Sequence, residues 1–300
     1  MEKRNFYLLS CGKWLSKKAF LNYFEKKVLR TIRKFKLIKE KGKIGIGVSG
    51  GKDSMTLLYI LNKFFKGRIV ALAVDEGIPG YREKLLLNAK KFCKKEDIPL
   101  EILYFEKEFG FKLKDKIKKI KKLGLTNCYV CSILKRWLIN KAAFQLGCNV
   151  VATAHSLDDE AENILLNLFK GNPNLLAKLG PKTGIEEVEG FIQRIKPFYF
   201  CRTKEIILYG KAHGIPVKEA ICPLRGETLR VSIRKWLGQL EKKHVEIKNA
   251  IVSSFLKISP LLKEKARTKQ FKVKKCEKCG FPSSRKICKA CEILELLNIA

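Results

Sequence analysis

One glycine-rich turn and eleven cysteines carry most of the chemistry open to this 300-residue chain. The turn is Ser49-Gly50-Gly51-Lys52-Asp53-Ser54, set between an apolar run at 44–48 and a run with Leu57, Leu58 and Leu61 at helical spacing. In a strand–turn–helix context, Gly50 and Gly51 let the backbone approach an anion while the first helical amides point at it. Lys52 adds a mobile positive charge, and Ser49 and Ser54 add hydroxyl donors. A Walker A loop needs Gly at 46 and Ser or Thr at 53; Ile46 and Asp53 stand there instead. The dinucleotide fingerprint G-x-G-x-x-G matches at Gly45, Gly47 and Gly50, with Asp75 as its candidate ribose acid, but Gly45 and Gly47 fall inside the strand pattern. Ser-Gly-Gly-Lys-Asp-Ser is the third reading of the same residues.

The cysteines fall into groups. Cys128 and Cys131 form a C-x-x-C pair, which suits half a zinc site, a redox pair or part of an iron–sulfur site. A helix pattern runs from Cys131 through Leu134, Leu138 and Ala142, so the thiols belong near a positive helix end, with Lys135 and Arg136 one turn further on. Cys222 precedes Pro223 and belongs in a turn. Cys276 and Cys279, then Cys288 and Cys291, make two C-x-x-C knuckles, the pattern of a closed structural zinc ribbon. Cys93, Cys148 and Cys201 sit among apolar neighbours and read as small core residues. His155-Ser156-Leu157-Asp158-Asp159 suits a ligand or Mg²⁺ site, and equally a helix N-cap by Ser156 or Asp158.

These groups need a scaffold. Strand patterns at 44–48, 69–74, 100–105, 150–153 and 194–199 alternate with helical patterns at 83–94, 162–169 and 204–213. Such alternation predicts an α/β fold with a doubly wound parallel sheet, and ligands at the carboxyl ends of its strands. Basic helices are expected at 20–37 and 112–122, a loop over the site at 171–190, and unbroken helix over 227–261. Lys plus Arg is 63 against 29 Asp plus Glu, a formal charge of +34. That excess favours a nucleic-acid partner over a merely lysine-rich composition. No run of about 18 apolar residues occurs, so no membrane span is expected. Eleven cysteines without a signal-peptide pattern predict a reducing, cytoplasmic location, with metal or catalytic thiols rather than disulfides.

Taken together these motifs resemble a known family. The 49–54 loop resembles the PP-loop of the ATP pyrophosphatases. With Asp75-Glu-Gly-Ile-Pro-Gly-Tyr81, Cys128-x-x-Cys131, Ala154-His-Ser-Leu-Asp-Asp159, Cys222 and the terminal four-cysteine ribbon, the whole chain resembles the TtuA-type tRNA two-thiouridine synthetases and the related wobble-uridine thiolases. The resemblance implies a [4Fe–4S] cluster on Cys128, Cys131 and Cys222, and catalytic roles for Lys135, Asp159 and Cys222. It implies ATP on Ser49, Gly50, Gly51, Lys52, Asp53, Ser54 and Lys135, with Gly47, Ala73 and Ala154 leaving room for the nucleotide. ATP, Mg²⁺, the cluster and one Zn²⁺ on Cys276, Cys279, Cys288 and Cys291 are the expected cofactors. The expected partners are tRNA, a ubiquitin-like thiocarboxylate sulfur carrier and a second copy of the chain.

The reaction so implied is adenylation of a uridine C2 oxygen, followed by sulfur transfer through the cluster to give 2-thiouridine or 5-methyl-2-thiouridine. The uridine is that at position 54 or the wobble position. A cysteine-persulfide sulfurtransferase without a cluster, and a non-catalytic zinc-ribbon RNA-binding protein, are the alternatives. Family members usually open with a second zinc ribbon. Here only Cys11-Gly12 remains of it, with Ser16 and Ala19 where ligands are expected, so no N-terminal zinc is expected. The expected segments are 1–41 as a basic helical region, 42–225 as the PP-loop domain, 226–268 as a basic helical extension and 269–300 as the ribbon.

Overall fold

A computed structural model describes residues 2–3, 6–9, 12–185, 190–215, 221–267 and 274–299. Three short antiparallel strands, β1 (Glu2–Lys3), β2 (Phe6–Leu8) and β3 (Trp14–Ser16), precede helix α1 (Lys17–Lys34). The central domain then runs β4 (Lys43–Val48), α2 (Lys52–Phe64), β5 (Ile69–Asp75), α3 (Arg82–Lys95), β6 (Leu100–Tyr104), α4 (Phe105–Phe109), a 3₁₀ turn at Leu113–Lys116, α5 (Ile117–Lys122), α6 (Asn127–Gln145) and β7 (Cys148–Ala152). It continues through α7 (Leu157–Phe169), α8 (Pro173–Ala177), β8 (Gln193–Ile195) and α9 (Thr203–Ala212). Two helices follow, α10 (Leu229–Lys243) and α11 (Ile247–Arg267), then β9 (Lys274–Lys275), β10 (Pro282–Ser283) and α12 (Lys289–Leu296).

The main sheet has the order β6-β5-β4-β7-β8, and every neighbouring pair is parallel. This is the expected doubly wound sheet. Chain order reverses between β4 and β7, so a crevice opens at the carboxyl end of β4, where the 49–54 turn lies. β5 is buried on both faces, as its unbroken Val, Ala and Leu run requires.

Several elements differ from the sequence reading, each for a local reason. The 1–41 segment carries a small antiparallel sheet as well as helix α1. Tyr7 stacks on Phe20 of α1 with ring centroids 4.6 Å apart, and Ser16, standing where a zinc ligand was expected, caps α1 by accepting from Ala19 N. Cys11 lies outside the described residues. The helix expected at 112–122 opens as a 3₁₀ turn, because Leu113 N donates to Glu76 O at 2.8 Å and ties the chain to the end of β5. α6 begins at Asn127, so both thiols of the C-x-x-C pair lie within the helix. α7 begins at Leu157, β8 stops at Ile195, and the expected 171–190 loop holds the short helix α8.

The helix expected over 227–261 is broken at residues 244–246. Arg202 reaches into the break, bonding Glu241 Oε1, Val245 O and Glu246 Oε1 at 2.8, 2.9 and 3.0 Å. Pro260, the residue that should stop a helix, lies inside α11 instead. The Leu256 carbonyl that its missing N–H leaves over accepts from Ser259 Oγ at 3.2 Å.

Candidate active site

The phosphate loop is shaped by its two hydroxyls. Ser54 Oγ accepts from Ser49 N at 3.1 Å, lies 3.0 Å from Ser49 Oγ and donates to Gly51 O at 3.0 Å. Gly50 has φ +77°, and a Cβ there would lie 2.0 Å from Leu85 O, so the turn demands glycine. Gly51 caps α2 without a side-chain acceptor, which suits the helix end to an anion. Lys52 Nζ lies 3.5 Å from Asp53 Oδ2. A Cβ at Gly47 would meet nothing nearer than Ala152 O at 3.8 Å, so packing alone does not demand glycine there. Gly47 and Ala154 are half-buried beside this loop's strand and the next, whereas Ala73 is wholly buried in β5.

A buried ionic knot joins this loop to α6. Arg82, 4 % exposed, donates to Val74 O and Ser49 O at 2.5 and 2.9 Å, so it laces together the ends of β4 and β5. Its Nε lies 2.9 Å from Glu76 Oε2. The other Glu76 oxygen lies 2.8 Å from Lys135 Nζ and 4.0 Å from Cys131 Sγ. Burial pulls the Lys135 ammonium down, but Glu76 and then Cys131 outweigh it and hold the group above its ordinary range. Glu76 and Arg82 were not singled out as site residues from the sequence. Glu76 lies within the quoted 75–81 motif, and that was the available signal.

Of the three predicted cluster cysteines, Cys128 and Cys222 both lie near enough to Cys131 to act on its thiol. Cys128 and Cys131 lie in the first turns of α6, whose cap Thr126 accepts from Tyr129 N at 3.2 Å. Burial pushes the Cys131 thiol up to about 12; Lys135 opposes this, while Glu76, Cys222 and Cys128 add to it. Cys222 also lies close enough to Tyr81 to raise its phenol, after burial. Cys131, Cys222 and Leu224 pack on the same apolar cluster as Val74 and Val130. Thus the turn at Cys222 folds back on the start of α6, one helical turn from Lys135. Cys128 is exposed and the other two are partly buried, a set open on one side.

The second acidic motif is largely engaged within the protein. Ser156 caps α7, and Asp159 returns the bond in a capping box, its Oδ2 3.0 Å from Ser156 N. Asp159 Oδ1 faces Arg230 at 3.5 Å and Arg234 at 3.8 Å. Asp158 accepts from Thr203 N at 2.7 Å and from Lys248 Nζ at 2.5 Å, binding α7 to α9 and α11. His155 Nδ1 lies 3.0 Å from Thr153 Oγ1; burial and then Lys196 lower its pKa to about 3, so it is neutral near pH 7. Of the two caps expected, Ser156 is the cap of α7, whereas Asp158 accepts from Thr203 and Lys248 instead.

In the tail, one sulfur from each of Cys276, Cys279, Cys288 and Cys291 lies within 4.8 Å of the others, a grouping unique among the described residues. Cys288 N donates to Cys276 Sγ at 3.2 Å. Burial raises the Cys276 thiol, but the amides of Cys279, Cys288 and Lys278 outweigh it and bring it down to about 6. Four converging sulfurs with amides aimed at one of them fit a tetrahedral zinc ion. Cys93, Cys148 and Cys201 are buried core thiols, as expected.

Comparison with known proteins agrees with this geometry. Residues 21–240 match the PP-loop domain family, and residues 274–300 match a zinc-ribbon family. A "probable sulfurtransferase" of Methanocaldococcus jannaschii is 33 % identical, over 97 % of this chain and 88 % of that protein. The tRNA-5-methyluridine(54) 2-sulfurtransferase of Pyrococcus horikoshii is 34 % identical, over 93 % of this chain and 87 % of that one. The solved U34-tRNA thiolase NcsA of Methanococcus maripaludis, with its [4Fe–4S] cluster, superposes with a TM-score of 0.80 at 27 % identity, covering 94 % of this chain and 90 % of that one. No helix among the described residues is long and apolar enough to cross a membrane. The chain belongs to the PP-loop family of tRNA 2-thiolation proteins.

Proposed function

We propose that this protein is an ATP-dependent tRNA-uridine 2-sulfurtransferase. The observation that carries the reading is the ionic knot: Glu76 joins Lys135, one turn along α6 from Cys131, to Arg82, which holds the phosphate-loop strand. It links a nucleotide site and a thiol site within a few residues. The C2 oxygen of uridine is a poor leaving group. Attack by that oxygen on the α phosphate of ATP releases pyrophosphate and leaves AMP as the group to be displaced.

The 49–54 loop holds the β and γ phosphates through amides, Lys52 and the serine hydroxyls. Lys135 neutralises charge that builds on the α phosphate, and the Mg²⁺ that accompanies ATP shares that task. Asp159, ionised and oriented by Ser156, positions Arg230 and Arg234 at the rim. Cys128, Cys131 and Cys222 would hold a [4Fe–4S] cluster, which would supply the metal activation of sulfide as a nucleophile. Cys276, Cys279, Cys288 and Cys291 hold a structural zinc. The sulfur carrier of thiocarboxylate type, the cytoplasmic location and a homodimer belong to the same reading.

The test is direct. Anaerobically purified protein, unmodified tRNA, ATP and sulfide should yield 2-thiouridine by nucleoside mass spectrometry, with one AMP per thiolation. Lys52→Ala should abolish both products while the fold survives. Wild-type protein that consumes no ATP with tRNA present would favour a non-catalytic RNA-binding protein.

A further inference from the structure

α6 serves two sites at once. Cys131, Lys135 and Ile139, four residues apart, share one face, and Ile139 borders both the cavity and the crevice side, its Cδ1 within 4.0 Å of the position of a Cβ at Gly47. The adjoining face carries Arg136 and Asn140, and it borders a cavity of about 210 Å³ between α6, β8 and the zinc ribbon. Arg136, Trp137, Phe191, Arg194, Phe281 and Lys289 are among the residues around it.

The polar groups of this cavity are mismatched in sign. Arg194 Nε and Trp137 Nε1 are both sealed from solvent without a hydrogen-bond partner. Neither Arg136 nor Arg194 has an acidic partner among the described residues. Both border the cavity, and burial, then the positive charge of Arg136, pull Arg194 down to about 10. Asn140 Oδ1, an acceptor at the cavity wall, is already used by Ile192 N at 2.9 Å. Among the described residues, what remains is a set of donors and positive charge. Around them stand aromatic walls, with Trp137 and Phe281 rings 5.5 Å apart and Phe191 42 % exposed.

Orphaned buried donors are uncommon and call for an acceptor. Exposed Arg136 and half-buried Arg194, with no acidic partner among the described residues, suit an anion. A bare inorganic anion would leave the aromatic walls without a partner. A nucleotide satisfies both, its base against the aromatic wall and its phosphate on the guanidiniums.

We propose that this cavity is an RNA subsite that holds a nucleotide flanking the target uridine. Resting on the tRNA-thiolation reading, it assigns the zinc ribbon a part in substrate positioning, since Phe281 and Lys289 come from the ribbon and Lys135 and Arg136 are neighbours on one helix. The target base is thereby brought to Lys135 by a neighbour anchored on the adjoining helix face.

The experiment uses the full-length holoprotein and an unmodified tRNA transcript, with Kd measured between 50 and 200 mM salt. R136Q/R194Q should weaken tRNA binding about tenfold and reduce the slope of log Kd against log salt by about one. R136K/R194K should keep most of that slope. ATP affinity and iron content should be unchanged in both. In a W14F/W236F background Trp137 is the sole indole, and tRNA should quench it, a readout that needs no charge variant. Unchanged salt slope with unquenched Trp137, in a protein that still binds tRNA, overturns the subsite alone. A fall in thermal stability of R136Q/R194Q with wild-type salt slope and no quench makes the arginines structural and overturns it equally. Failure of the wild-type protein to bind tRNA at any salt overturns the functional reading itself.

Discussion

Glu76 Oε1 lies 2.8 Å from Lys135 Nζ and joins the carboxyl end of β5 to α6. The same carboxylate meets Arg82 Nε at 2.9 Å, so one buried negative charge stands between two cations. The cluster keeps a net positive charge beside the phosphate loop, suited to an incoming nucleotide. Glu76→Gln keeps the shape and removes the charge. Breaking such a buried pair from one side costs about 3–5 kcal/mol. The urea midpoint should fall accordingly, and ATP affinity should change with it, because Arg82 also holds Ser49 O at 2.9 Å. A wild-type midpoint for Glu76→Gln would remove this knot from the account.

The tail should fold on its metal. The four sulfurs of Cys276, Cys279, Cys288 and Cys291 converge within 4.8 Å, and their ribbon packs on α6 through the cluster that includes Leu134 and Ile293. Cys279→Ser should lose about one zinc per chain and leave iron content intact. Metal analysis showing full zinc in that variant would contradict the assignment.

Asp158 and Lys248 should set the acid and alkaline limits of the junction between α7 and α11. Burial works to raise the Asp158 carboxyl, but Lys248 and the Thr203 amide outweigh it and hold its pKa below the usual 3.8. The folded state therefore binds that proton less tightly than the unfolded chain. The stability that results is complete above the unfolded carboxylate value and disappears as pH falls through the folded one. Lys248 is the mirror case: burial lowers it, Asp158 and Glu241 raise it further, and its contribution is lost only as pH rises through the folded value above 10.5. Asp158→Asn should cost about 3 kcal/mol at pH 7. That cost should shrink as pH falls below 4. Urea titrations of both proteins at pH 7 and pH 3 measure the difference, and an equal gap at both values would refute the ion pair.

What could be read before the structure was chemistry carried by neighbours in sequence. The 49–54 turn, the two ribbon knuckles and the Cys128–Cys131 pair each hold their geometry within a few residues, so spacing alone exposes them. The parallel sheet was legible because β5 is apolar without alternation. The fold-back of Cys222 onto α6 rested on family resemblance; Cys222 acts on the Cys131 thiol and packs on the same apolar cluster. Glu76, Arg82 and Arg194 were not legible as site residues. An acid at a strand end or an arginine in a helix acquires its meaning from partners far along the chain. The break at 244–246 has no glycine or proline to announce it, since Arg202 makes it from outside, while Pro260, which announces a stop, is absorbed within α11.

The central claim is that phosphate loop and three-cysteine site are two halves of one thiolating centre. The measurement is positional thiolation of purified tRNA with ATP and sulfide, run on iron-free wild type, anaerobically reconstituted wild type and reconstituted Cys222→Ser side by side. Reconstituted wild type alone should yield 2-thiouridine, and it should carry about four iron and four sulfide per chain. Cys222→Ser should bind ATP unimpaired, because the phosphate loop lies on a separate strand end. Equal thiolation by the iron-free and reconstituted proteins would contradict the central claim and assign the sulfur to a cysteine persulfide.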